Sequence, residues 1–213
     1  MKESMNTRIY GWFYCNACKK VLKDRFQHSM PKIVRAEYRT IINRAKDIGP
    51  SRLLSAYCMA AWFIALNRKT GLSPEENYEL FRDGLLKSRL FHMAMGNGDA
   101  YLDKKKLPGR MQWAAESKQR KYENDWVLDV LEGNGDFDLG YDYLECGVCK
   151  LCRDEGCPEL AEYLCRLDFV MADMMGMDLK RTTTLVEGGK RCDFRYSRKG
   201  ETERKNIIEY REK

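Results

Sequence analysis

The spacing of apolar residues predicts that the first half of the chain is helical. Residues 51–67 are apolar almost all round, with the run AYCMAAWFIAL at their centre, which is typical of a helix buried on every side. The segment Ser73-Pro-Glu-Glu76 has the pattern of a capping box with proline in the first turn, so we expect a helix from there to about Gly96. Glycine, proline and charge predict a loop at 96–110, and a short polar helix should follow at about 110–124.

From Trp126 onward the period changes from helical to alternating. The alternate positions of 137–143 (Phe, Leu, Tyr, Tyr) share one face of a predicted strand, with aspartates on the other. A Gly-Asn-Gly-Asp turn at 133–136 would join this strand to 126–131 as a hairpin. The cysteine-rich stretch that follows consists of good helix formers, and Pro158 should open a longer helix that ends near Gly176.

Two more strands are expected near the end of the chain. They are Leu179–Val186 and Arg191–Arg198, joined by a turn at Gly188-Gly189. The second half therefore has the order β-β-α-α-β-β, an antiparallel sheet with helices on one face, and the fold class is α+β. We divide the chain into a helical region (1–125), a cysteine-rich α+β region (126–199) and a charged tail (200–213), with the first two integrated in one domain.

Composition and charge restrict the partners. The chain has 213 residues, of which 44% are hydrophobic and 33% charged, and its net charge of +6 is spread along the sequence. Without alternating aromatic and basic residues, no nucleic-acid surface is predicted. The longest apolar run falls well short of the roughly 20 residues of a membrane span, and the first residues lack the apolar core of a signal peptide. We expect a cytoplasmic protein with a small-molecule partner and no membrane association; the oligomeric state is not predicted.

Nine cysteines are the most unusual feature of the composition. In a reducing compartment a disulfide framework is not expected. Two interpretations remain open. The run C-x2-C-x2-C-x4-C differs by one residue from a ferredoxin motif, so an iron–sulfur cluster, or zinc held together with Cys15 and Cys18, would fit. Its cysteines are Cys146, Cys149, Cys152 and Cys157.

The second interpretation is thiol chemistry. Cys146 falls at a strand-to-helix junction, where free N–H groups favour a thiolate, and it is the best-placed nucleophile. Asp168 lies between small residues beside the apolar stripe of the next helix, where burial would raise its pKa and fit it for proton transfer. Cys165 lies one turn before Asp168, whose charge would disfavour its thiolate. Arg181 and Arg195 on the last strands need anionic partners, either an aspartate or a substrate carboxylate.

Several of these motifs resemble the L-2-amino-thiazoline-4-carboxylic acid hydrolase family. The shared pattern covers about residues 136–196 and includes Tyr141-Asp142, Cys146-Gly147, Leu164-Cys165, Asp168, Arg181, Thr184-Leu185, Gly188 and Cys192-Asp193-Phe194-Arg195. The order of elements is more distantly similar to a vinyl-reductase-type small-molecule-binding domain.

The resemblance implies ring-opening hydrolysis of a cyclic amidine, and the thiol interpretation of this reaction requires no cofactor. Cys146 would attack the ring carbon, Asp168 would move protons, and Cys165 or Cys192 would line the pocket. The substrate would be held by Arg181, Thr184, Arg195 and Tyr143. The alternative function is a sensor or carrier that binds a metal, an iron–sulfur cluster or a small ligand through the same thiols.

Overall fold

The computed structural model describes residues 1–200, which form two compact units. The helical unit comprises 1–94, 122–125 and 147–165, and the sheet unit comprises 95–121, 126–146 and the described residues from 166 onward. The α+β class predicted from the sequence is confirmed. The chain passes more than once from one unit to the other, and the expected integration of the two regions in one domain stays a prediction. The charged tail expected at 200–213 lies outside the described residues, except for Gly200.

The helices and strands of the described residues are as follows. The helices are α1 (Met5–Arg25), α2 (Met30–Arg44), α3 (Leu54–Thr70), α4 (Pro74–Lys87), α5 (Arg89–Met95), α6 (Gly98–Tyr101), α7 (Leu107–Ser117), α8 (Gly147–Asp154) and α9 (Leu160–Met174). The strands are β1 (Val127–Glu132), β2 (Leu139–Glu145), β3 (Met177–Lys180) and β4 (Cys192–Arg198), and a 3-10 turn precedes α7 at Lys104–Lys106.

Helix α3 lies at the centre of the helical unit, as its apolar run predicts. Every residue from Tyr57 to Leu66 is buried. The helix ends at Thr70 and is capped by Gly71, whose φ of 70° lies in the left-handed region that glycine adopts without strain. No helix within residues 1–200 combines the length and the hydropathy required for a membrane span.

The capping box before α4 is present, but the helix ends earlier than expected. Ser73 accepts a hydrogen bond from the Glu76 N–H, and the Glu76 side chain bonds back to the Ser73 backbone. The expectation that this helix reaches Gly96 is wrong, because α4 stops at Lys87. Ser88 is extended, with ψ of 104°, and its hydroxyl accepts a hydrogen bond from the Phe91 N–H, so it caps the start of α5.

The segment expected to be a loop is more ordered than its composition predicts. It contains α6, and the helix expected at about 110–124 is α7, shifted towards the N-terminus. Pro108 lies in the first turn of α7, where its missing N–H costs no hydrogen bond.

The sheet has the order β1-β2-β4-β3, with every neighbouring pair antiparallel. The hairpin expected from the turn at 133–136 joins β1 to β2, and both expected helices lie between β2 and β3. The register places Tyr141 opposite Phe194 and Tyr143 opposite Cys192. Helix α7 packs against this face of the sheet, with the Trp113 ring 6.3 Å from that of Tyr141.

The expected third strand, Leu179–Val186, is largely wrong. Strand β3 ends at Lys180, and residues 181–191 form a loop. The carboxylate of Asp193 accepts hydrogen bonds from the backbone N–H groups of Thr182 and Thr183, both at 2.8 Å, which removes these donors from a strand ladder. Arg181, expected on this strand, is therefore the first residue of the loop. Gly188, with φ of 83°, makes the turn that its sequence predicts.

Replacing Ser73 by alanine should lower the free energy of unfolding by about 1 kcal/mol, because the Glu76 N–H loses its hydrogen-bond acceptor. Ser29 provides a matched control: it precedes α2 in the same cap position but makes no side-chain cap hydrogen bond. Ser29→Ala should change stability by less than about 0.5 kcal/mol. Equal effects of the two substitutions in urea denaturation would contradict this interpretation of the capping box.

Candidate functional site

One face of the sheet is lined with aromatic side chains. Because side chains alternate along a strand, Tyr141 and Tyr143 of β2 share this face with Phe194 and Tyr196 of β4. The Tyr143 and Phe194 rings lie edge to face at 5.1 Å, and the Tyr141 and Tyr143 rings stack at 5.8 Å. We call this surface the aromatic face.

Tyr101, at the end of α6, adds a fifth ring to the aromatic face. Its ring lies 5.5 Å from that of Tyr196, and its hydroxyl forms a hydrogen bond with that of Tyr141. Helix α6 is held by a 2.7 Å hydrogen bond from the Gly98 N–H to the Met175 carbonyl. A Cβ atom at Gly98 would lie 2.4 Å from Met177 Cγ, so only glycine permits this close approach.

Asp168 of α9 and Arg181, which follows β3, form an ion pair beside the aromatic face. Arg181 Nη1 lies 2.8 Å from Asp168 Oδ2. The guanidinium lies between two aromatic rings, 4.8 Å from the Phe169 centroid and 5.0 Å from that of Phe194. Only 6% of the Arg181 side chain is exposed, so its charge acts in surroundings of low polarity.

Burial raises the pKa of Asp168 to about 6, although the charge and hydrogen bond of Arg181 act in the opposite direction. Even so, 26% of the Asp168 side chain remains accessible. The carboxyl is thus surrounded by protein but open to solvent on one side, which a proton-transfer group requires. Burial raises the pKa values of Tyr101, Tyr143 and Tyr196, and the charge of Asp168 adds to this effect.

Cys192 begins β4 on the same face. Burial raises the pKa of its thiol to about 11, and the Leu185 N–H donates a 3.2 Å hydrogen bond to its sulfur. The groups that interact electrostatically with this thiol include Cys146, Arg181 and Asp168. Cys192 is therefore held as a neutral thiol at neutral pH.

Cys146 is the single residue between β2 and α8, as expected from the sequence. Its thiol is half-buried and interacts electrostatically with Cys192 and with Tyr143. The structure thus brings together five of the residues singled out in the sequence. They are Cys146, Asp168, Cys192, Arg181 and Tyr143.

The positions of the other three candidates are as follows. Arg195 points to the opposite face of the sheet, where its Nη2 lies 2.8 Å from Asp142 Oδ1. Thr184 is buried in the loop before β4, and its hydroxyl donates to Glu187. Cys165 is half-buried and belongs to the helical unit, one turn before Asp168 along α9.

Sequence reasoning missed part of the aromatic face. Phe194 and Tyr196 alternate with charged residues along β4, which predicts that they share a strand face, but this pattern does not place them beside Tyr141 and Tyr143. Tyr101 lies in a segment that sequence analysis assigned to a loop, and no local pattern placed it near Tyr141.

The cysteine run forms no recognisable metal centre in residues 1–200. No group of three His, Cys, Asp or Glu side chains in that range is arranged to hold a metal ion. Cys149 and Cys152 lie within α8, the continuous helix that the residues between them predict, and none of the nine cysteines forms a disulfide.

Fold and site together define a class: an α+β protein whose antiparallel sheet presents tyrosines and a thiol on one face, beside a raised-pKa carboxyl on helix α9. The family model of L-2-amino-thiazoline-4-carboxylic acid hydrolase matches residues 51–196, and the chain belongs to this family. The match extends beyond the resemblance at 136–196 into the helices from α3 onward. No curated protein and no solved structure matches the chain.

The raised pKa of Asp168 makes a prediction about stability. A carboxyl with a pKa near 3.9 when unfolded and about 6 when folded stabilises the protein below pH 4, and this contribution is lost as the pH rises through 6. Urea denaturation from pH 4 to 7 should show the free energy of unfolding of the wild type falling relative to Asp168→Asn. Asp173→Asn, an exposed carboxylate of the same helix, controls for loss of charge. If the free energy of unfolding of the wild type stayed constant or rose relative to Asp168→Asn between pH 4 and 7, the raised pKa would be contradicted.

Proposed function

We propose that the protein is a hydrolase that opens the ring of a cyclic amidine, using Cys146 as nucleophile and Asp168 as proton-transfer group. The observation that carries the proposal is the grouping of Cys146, Cys192 and Asp168 beside the aromatic face, in a chain that belongs to the L-2-amino-thiazoline-4-carboxylic acid hydrolase family. The substrate named by the family is our first candidate.

The first step is the attack of the Cys146 thiolate on the amidine carbon. This carbon is bonded to the ring sulfur and to two nitrogens, and protonation of the amidine makes it a better electrophile. A bond forms between Cys146 Sγ and the carbon, and the bond from the carbon to the ring sulfur breaks. The substrate remains attached to Cys146 as an isothiouronium, and its former ring sulfur is a thiolate.

The second step is hydrolysis of this intermediate. The Asp168 carboxylate accepts a proton from water as the water oxygen bonds to the carbon. The carbon then expels the Cys146 thiolate, the hydroxyl proton passes to the substrate thiolate, and a urea forms. With the aminothiazoline acid, the product is N-carbamoyl-cysteine. A pKa of about 6 leaves Asp168 mostly ionised at neutral pH and still able to exchange protons.

Three neighbours support these roles. Arg181 supplies the positive charge that would attract a substrate carboxylate, while it keeps Asp168 largely ionised at neutral pH. Tyr143 offers a ring on which a planar amidinium could stack. Cys192, with its raised pKa, would line the pocket as a neutral thiol and leave the nucleophilic role to Cys146.

The expected partner and compartment follow from the same thiol chemistry. We propose a small-molecule substrate as the partner, with no nucleic acid, membrane or cofactor, and a reducing cytoplasm, in which nine cysteines without disulfides persist. We propose that Thr184 orders the loop that carries Leu185, through its hydrogen bond to Glu187. We propose that Arg195 pairs with Asp142 on the opposite face of the sheet and does not bind substrate.

Purified protein should convert L-2-amino-thiazoline-4-carboxylic acid, or another member of a panel of cyclic amidines, to the ring-opened urea, measured by liquid chromatography and mass spectrometry. Cys146→Ser should lower kcat by about three orders of magnitude or more, because the nucleophile is lost. Acid quenching of wild-type turnover should trap the substrate mass on the peptide that contains Cys146.

Cys15→Ser is the matched control, since Cys15 is also half-buried but lies on α1 of the helical unit. It should keep wild-type kcat and KM. Turnover by Cys146→Ser with an intact circular dichroism spectrum would reject Cys146 as nucleophile, and inactivity of the wild type across the panel would reject the reaction.

A further inference from the structure

The C-terminal end of α8 brings together two cysteines that the proposed hydrolysis does not use. The Cys157 N–H donates to the Cys152 carbonyl at 2.9 Å, and the Gly156 N–H donates to the Arg153 carbonyl at 3.0 Å. Gly156 has φ of 70°. This pair of hydrogen bonds around a left-handed glycine is a Schellman motif.

A Schellman motif places two particular side chains against each other: that of the residue three before the cap and that of the residue two after it. In most proteins this contact is apolar. Here the two positions are Cys152 and Cys157, and the Cys152 thiol forms a hydrogen bond with the Cys157 sulfur. The helix end therefore builds a dithiol.

The two thiols differ in access and in charge environment. Cys152 is fully buried, whereas Cys157 is half-buried between the exposed residues Gly156 and Pro158. The hydrogen bond from Cys152 lowers the pKa of Cys157 against the effect of burial, and the positive charge of Arg68 acts in the same direction. The carboxylates of Glu155 and Glu159 oppose this lowering, and Arg68 binds one of them, Glu155, at 2.7 Å.

We propose that Cys152 and Cys157 form a redox-active dithiol, in which Cys157 reacts with a hydroperoxide and Cys152 resolves the product to a disulfide. The Cys157 thiolate attacks the O–O bond, so that its sulfur becomes a sulfenic acid and the peroxide is reduced to water or an alcohol. The Cys152 thiol then attacks the sulfenic sulfur, a bond forms between the two sulfurs, and the sulfenic hydroxyl leaves as water together with the Cys152 proton. The two thiols lose two electrons and two protons, which the hydroperoxide accepts.

The first test measures reactivity in the whole, fully reduced protein. With substoichiometric iodoacetamide at neutral pH, Cys157 should be alkylated at least about tenfold faster than Cys15. Peptide mass spectrometry measures the two alkylation rates. Cys15 is a matched comparison because it is also half-buried, but burial raises its pKa. Equal rates would overturn the proposal.

The second test identifies the oxidised product. Trypsin cleaves after Lys150, Arg153 and Arg166, so Cys152 and Cys157 lie on separate peptides that a disulfide would join. After treatment with one equivalent of hydrogen peroxide, 151–153 should be cross-linked to 154–166. Fragmentation before Pro158 separates Cys157 from Cys165 and identifies the bonded sulfur. A cross-link to any other cysteine, or none, would overturn the proposal.

Two variants separate the roles. Cys152→Ser keeps a hydrogen-bond donor but has no resolving thiol, so peroxide should leave a sulfenic acid at Cys157 that dimedone traps. Cys157→Ser should give no dimedone adduct at Cys152 and no cross-link to Cys152, because Cys152 is buried. A cross-link at Cys152 in Cys157→Ser, or an unmodified Cys157 in Cys152→Ser, would contradict the mechanism. None of these readouts depends on hydrolase activity, so they test the dithiol separately from the proposed function.

Discussion

The ion pair between Asp168 and Arg181 is the interaction on which the chemistry of the sheet unit depends. It joins α9 to the end of β3, and the Phe194 ring joins it to β4. A buried guanidinium requires an anion, and loss of either partner would leave the other charge unpaired in surroundings of low polarity. The same pair sets the proton affinity of the site: burial favours the protonated carboxyl more strongly than Arg181 favours the carboxylate, which raises the pKa of Asp168 to about 6.

The alternation of side chains along β2 and β4 gives the two faces of the sheet different chemistry. Tyr143 and Cys192 face each other on the aromatic face, whereas Asp142 and Arg195 pair on the opposite face. A slip of one residue in the β2–β4 register would exchange the faces and place charge where the rings now pack. The site therefore depends on the β2–β4 register as much as stability does. The ion pair of Asp142 and Arg195 on the opposite face helps to fix this register.

Local patterns predicted the elements that depend on local interactions. The buried α3, the capping box of α4, the hairpin of β1 and β2, and the junction at Cys146 all follow from short stretches of sequence. The loop at 181–191 did not, because its conformation depends on hydrogen bonds to Asp193, which lies on another element. For the same reason, the sequence offered Arg181 and Arg195 as equivalent candidates, and only the register separated them.

The cysteines show why residue type alone does not determine chemistry. Burial raises the pKa of Cys58 to about 12 and that of Cys192 to about 11, so both are inert at neutral pH unless a substrate or neighbour activates them. The thiols to which we assign reactions, Cys146 and Cys157, lie just before the first turn and just after the last turn of α8. Backbone N–H groups are unpaired at the start of a helix, and the turn that caps its end brings distant side chains together. Helix ends can therefore tune sulfur in ways that a helix interior cannot, and the positions of α8 and its caps are more informative than the number of cysteines.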